Sequence, residues 1–83
     1  MPTIAQIRDL AHKHSLRLEY VIDSIDSEHI ELSYRDDDYN YHSAKITMDN
    51  YGVFYSLIIN TSNVDAMMRF IAFWNDFKTF ESS

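Results

Sequence analysis

The sequence predicts an α+β fold: a four-stranded antiparallel meander sheet with an N-terminal and a C-terminal helix packed on one face, in the order α-β-β-β-β-α. Three observations carry this. Apolar residues recur at helical spacing from Ile4 to Ala11, and from Leu16 the period drops to two through four short runs separated by polar turns. Helical periodicity then returns after Thr61 and runs without Gly or Pro to Phe80. Short links make successive strands antiparallel neighbours, and both helices then cover the one apolar sheet face.

Each element has its own warrant. Thr3-x-x-Gln6 is a capping box, and Ile4, Ile7, Leu10 and Ala11 form the apolar face of a helix ending near His14-Ser15. Leu16, Leu18, Tyr20 and Ile22 then alternate with Arg17, Glu19, Val21 and Asp23, the pattern of a half-buried strand. After a turn over Ser24 to Ser27, Ile30, Leu32 and Tyr34 point one way while Glu31, Ser33 and Arg35 point the other. Asp36-Asp37-Asp38-Tyr39-Asn40 is a connection, because three adjacent carboxylates are too costly to desolvate in a buried strand. A third strand from Tyr41 to Met48 turns Ala44, Ile46 and Met48 inward, with Ser43, Lys45 and Thr47 outward. Asp49-Asn50-Tyr51-Gly52 holds the only glycine and reads as a hairpin turn. The fourth strand, Val53 to Ile59, is apolar on both faces, so it is expected to be the best covered of the four.

The last helix holds more apolar surface than one sheet requires. Ser62 with Asp65 three residues later forms its expected cap. Val64, Met67, Met68, Ile71 and Trp74 share one face; Phe70, Phe73, Phe77 and Phe80 carry the apolar surface further round. Only Asp65, Arg69, Asp76 and Thr79 make a polar stripe. The apolar arc is roughly 240°, against the ~100° that packing on one layer needs. Either the helix is embedded between layers, or Phe70, Phe73, Phe77 and Phe80 close a homodimer.

A length of 83 residues suits one small domain, and 46% hydrophobic content is enough to build its core. There is no cysteine, so disulfides and thiolate metal sites are excluded. No apolar run approaches the ~20 residues of a membrane span. Met1-Pro2-Thr3 does not open a signal peptide, so a cytoplasmic location is expected. With 13 acidic residues against 7 basic ones the net charge is −6, which disfavours direct binding of nucleic acid or anionic membrane. It favours a basic protein partner, a cation, or simply solubility.

Signals for chemistry are weak. His12 and His14 are two apart on a helix and diverge, while His29 and His42 fall on separate strands, so no metal-ligand spacing arises. His14 near a helix C-terminus is explained by the helix dipole. No Gly-x-Ser-x-Gly, phosphate loop or His-Glu-x-x-His is present, and Asp36 to Asp38 lack the alternation of a calcium loop. No catalytic residue, metal or cofactor is therefore expected.

The informative constellation is acidic and aromatic. Tyr34, Tyr39 and Tyr41 bracket the three aspartates, and Tyr51 follows with Asp49. Tyrosine is an amphipathic anchor at interfaces, and carboxylates beside it attract lysine and arginine. The expected partner-binding set is Asp36, Asp37, Asp38, Tyr39, Tyr41, Asp49 and Tyr51; the plainer reading is a solvated hairpin tip. The outward sheet face, with Arg17, Glu19, Glu31, Ser33, Arg35, Lys45 and Thr47, ranks second as a docking surface.

The layout, with Ile4-x-x-Ile7-Arg8 in the first helix and Val64 and Phe70-Ile71-Ala72-Phe73 in the last, resembles the small acidic phage-encoded anti-CRISPR inhibitors of Cas9. That resemblance implies a non-catalytic inhibitor whose carboxylates stand in for phosphates in the DNA-reading groove of a host nucleic-acid-binding protein, a Cas-type effector among them.

Overall fold

The chain runs α1 (Ile4–Lys13), β1 (Arg17–Ser24), β2 (Ser27–Arg35), β3 (Tyr41–Met48), β4 (Phe54–Asn60) and α2 (Val64–Ser82), in a computed structural model that describes residues 3–24, 27–48 and 54–82. The four strands form one antiparallel sheet in the order β1-β2-β3-β4. This is the α+β meander that the alternating runs and short links predict. Asp49, Asn50, Tyr51 and Gly52 lie outside the described residues, so the hairpin expected there is not described.

Local signals set both ends of α1. Thr3 accepts the Gln6 N–H at 3.2 Å while Gln6 accepts the Thr3 N–H at 2.8 Å, the reciprocal capping box. At the other end Ser15 adopts φ 62, Leu16 N–H returns to Ala11 O at 2.9 Å, and Ser15 N–H returns to His12 O at 3.0 Å. That is a Schellman stop with serine where glycine is usual, and it delivers Leu16 into the core.

Register brings the inward residues into rows across the sheet. Leu18, Leu32, Ala44 and Ile59 form one, and Tyr20, Ile30, Ile46 and Leu57 the next. Ile7 and Ala11 of α1 and Ala66, Phe70, Phe73 and Phe77 of α2 close over them. Ile22, expected inward, is 67% exposed, because the register slips between Ile22 and Ser24 and the strand end leaves the helix layer.

Three further expectations change. The cap of α2 is Asn63, whose Oδ1 accepts the Ala66 N–H at 2.9 Å; Ser62 is exposed and Asp65 bonds elsewhere. The buried face of α2 is Ala66-Phe70-Phe73-Phe77, with Phe73 stacked on Phe77 at 6.0 Å. These three phenylalanines are wholly enclosed within the chain and are not available to a second copy; the side chain of Phe80 lies outside the described ones. Val64 and Met68, each 65% exposed, stand outward instead, with Ile71. Finally β4 is an edge strand, and Ile58 on its outer face is 54% exposed, so it is not the best covered strand. Wide rings fill the depth between helix and sheet better than unbranched Met, so the phenylalanines win the interior.

Candidate functional site

The Asp36–Asn40 connection is a tight loop held by its own first residue. Asp36 N–H donates to Asn40 O at 3.0 Å, and Tyr39 N–H donates to Asp36 O at 3.1 Å. Asp36 Oδ1 accepts the N–H groups of Asp38 and Asn40, both at 2.9 Å. Tyr39 closes the turn at φ 65, the left-handed position that three-residue hairpins usually give to glycine.

Behind the loop, Asp36 Oδ2 meets His42 Nε2 at 2.9 Å, and His42 Nδ1 meets Thr61 Oγ1 at 2.8 Å. A carboxylate only accepts, so Nε2 carries the proton in that pair. Thr61 Oγ1 also accepts the Asn63 N–H at 3.1 Å, which joins the chain of bonds to the cap of α2. His42 first, then the backbone N–H groups of Asn40 and Asp38, hold the Asp36 carboxyl below the ordinary carboxylate range. Carboxylate, imidazole and hydroxyl in series also form a nucleophilic relay in other settings. Here Thr61 Oγ1 also accepts from the helix start, so the series forms a clamp between loop, β3 and α2.

A second polar group braces the same end. Tyr34 stacks beside His42 with centroids 6.4 Å apart, and its hydroxyl donates to Asp65 Oδ2 at 2.9 Å. Arg69 Nε donates to the same oxygen at 3.3 Å, and the guanidinium lies 4.6 Å over the Tyr34 ring. Hydrogen bonds from Tyr34 and then Arg69 hold the Asp65 carboxyl low, while that carboxylate pushes the Tyr34 hydroxyl up.

The predicted contact residues therefore divide. Asp37 and Asp38 are exposed, and Tyr39 and Tyr41 are each 73% exposed, with the Arg35 guanidinium 5.1 Å from the Tyr39 ring centre. Asp36 was expected among the contacts, but its side chain turns inward and is only 17% exposed. Tyr34 likewise faces the helix. Asp49 and Tyr51 lie outside the described residues. Sequence reasoning missed His42, Thr61, Asn63 and Asp65 as the supports of this loop. The one signal for them was strand register, which sets His42 opposite Tyr34.

His14 and His29 each meet a carboxylate, while His12 is exposed on α1. His14 Nε2 meets Asp76 Oδ2 at 2.6 Å, which joins the end of α1 to the middle of α2. His29 is buried on the outward sheet face beside Glu31 at 3.2 Å. That face carries a depression of about 500 Å³ lined by Arg17, Glu19, Glu31, Ser33, Lys45 and Ile58. Lys45 stands opposite Glu31 in the register, so charge pairing accounts for much of this polar face. Among the described residues, no three His, Asp or Glu side chains group to hold a metal ion, and no helix is long and apolar enough to cross a membrane.

Compared with family models, curated proteins and solved structures, the chain matches none. The functional reading therefore rests on the geometry of its own residues.

Proposed function

We propose that the chain is a non-catalytic, acidic protein-binding module that engages a basic protein surface through Asp37, Asp38, Tyr39 and Tyr41. The target class we assign is a host nucleic-acid-binding or defence protein, a Cas-type effector in the anti-CRISPR sense, with the two carboxylates taking the place of phosphates. One observation carries the reading. Tyr39 holds a left-handed backbone and is 73% exposed at the tip of a loop clamped from behind. A non-glycine residue in that conformation costs about 1–2 kcal/mol, and its ring stays largely in solvent, with the Arg35 guanidinium 5.1 Å from its centre. Strain of this kind clusters at contact sites, and Tyr39, unlike Ser15 at the end of α1, stops no helix.

The clamp also favours binding, because a loop already fixed by Asp36, His42 and Thr61 loses little further entropy on docking. The net charge of −6 steers it toward cationic grooves. The test is displacement of duplex DNA from a guide-loaded Cas9-type effector, measured by fluorescence anisotropy across salt concentrations. Displacement by wild type, weakened by salt and abolished in Asp37→Lys/Asp38→Lys, supports the proposal. Displacement that survives the double charge reversal sinks the assigned surface, and no displacement at any concentration sinks the assigned target.

A further inference from the structure

His42 joins the contact loop to the start of α2 through both of its ring nitrogens. Its side chain is 15% exposed and the Asp36 side chain facing it 17%, so solvent ions screen the pair little. Nε2 donates to Asp36 Oδ2 at 2.9 Å. The other oxygen of that carboxylate, Oδ1, accepts the N–H groups of Asp38 and Asn40. One carboxylate therefore stands between the imidazole and the backbone that displays Asp37, Asp38 and Tyr39. On the far side Nδ1 meets Thr61 Oγ1 at 2.8 Å, and that oxygen also accepts the Asn63 N–H.

The proton on Nδ1 can come and go without breaking this series. With Nδ1 bare, the Thr61 hydroxyl donates to it. With Nδ1 protonated, Nδ1–H donates to Thr61 Oγ1, whose two lone pairs then serve Asn63 and His42 while the hydroxyl hydrogen turns aside. What changes is the other end. An imidazolium facing a carboxylate makes a charge-assisted bond, roughly twice as strong as a neutral one. Asp36 stays ionised across that change, because His42 and then the N–H groups of Asn40 and Asp38 hold its carboxyl below its ordinary 3.8. Histidine is the side chain that changes charge between about pH 5 and 8. The other charges near the ring offset each other: Tyr34 stacks beside it, and the Asp65 carboxylate beyond Tyr34 is paired with Arg69 at 3.3 Å.

We infer that His42 is the positioning residue of the contact loop, and that protonating its imidazole tightens that loop. It acts through Asp36 on the backbone of Asp38 and Asn40, and needs no contact with a partner. The inference rests on the reading of Asp37, Asp38, Tyr39 and Tyr41 as the contact set, and adds its regulation: the surface is better ordered near pH 5.5 than near pH 8. The gain is present below the imidazole's titration and is lost as pH rises through it. Neutral and charge-assisted hydrogen bonds differ by enough to change the open fraction of the loop about fivefold.

The experiment is NMR amide–solvent exchange at Asp38 and Asn40 of the free protein, from about pH 5.5 to 8. Rates are divided by those of an unstructured peptide at each pH, and the His42 Cε1–H shift is followed in the same samples. Protection should be about fivefold higher at the acid end and rise in step with His42 protonation. His42→Gln, which can donate to Asp36 but cannot become charged, should lose the step. Asp36→Asn should reverse it, because Oδ1 still serves the two backbone N–H groups while the new NH2 group faces Nε2 and accepts nothing from an imidazolium. Protection that stays flat while His42 titrates overturns the inference. So does a step that survives either substitution, or an imidazole that keeps one charge state throughout. No target is present, so failure of this inference and failure of target binding are read in separate experiments.

Discussion

Truncating Phe73 to alanine tests whether the phenylalanine row of α2 is core or interface. The ring is wholly enclosed, stacked on Phe77 at 6.0 Å and edge-on to His14 at 6.4 Å. Removing a buried phenylalanine side chain costs about 3–5 kcal/mol in transfer and cavity terms together. At ~0.05–0.15 kcal/mol per residue, the 83 residues hold roughly 4–12 kcal/mol of stability, so this one change removes between a quarter and all of it. Each kcal/mol shifts the midpoint of a domain this size by about 4–8 °C, which puts the loss at 12 °C or more. Urea and thermal unfolding followed by circular dichroism would read it, at two protein concentrations. A loss below about 1 kcal/mol, in the range of an exposed site, would refute the burial assigned here. So would a change in molecular mass with stability intact.

Asn63→Ala should destabilise by about 1 kcal/mol through loss of the α2 cap, while Ser62→Ala stays within about 0.5 kcal/mol; urea midpoints compare them. Asp36 has a folded pKa below its ordinary 3.8, so its stabilisation is full above that value and is lost as pH falls through the folded value. Asp36→Asn should therefore flatten the acid limb of a stability-against-pH curve below about pH 4, and an unchanged limb would remove Asp36 from the clamp. Tyr39→Asn suits the left-handed position, so unfolding should be unchanged or slightly later. If Tyr39 is a binding anchor, affinity for a captured target should fall by about 30-fold, the ~2 kcal/mol of an interface hot spot.

The candidate site was legible in the sequence only at its outer surface. Three adjacent aspartates between two alternating runs mark an exposed connection, and tyrosines beside them mark a contact surface. That Asp36 turns back while Asp37 and Asp38 turn out depends on His42 and on Asn40, whose N–H reaches the Asp36 carboxylate. His42 in turn is held by Thr61, 19 residues further along the chain. No local periodicity encodes a bond over that distance.

The element order, the meander and the capping box of α1 follow from the sequence alone, because period, turn residues and caps act within a few positions of one another. The choice of buried face on α2 does not, since its apolar arc is wider than one sheet can cover. Only the tertiary structure decided between Phe73 and Met68. The same holds for β4: its composition reads as an interior strand, and the strand order alone places it at the edge. Local chemistry sets which segments become helix or strand. Which of two apolar faces is buried depends on the volume left between layers, which exists only once the layers have met.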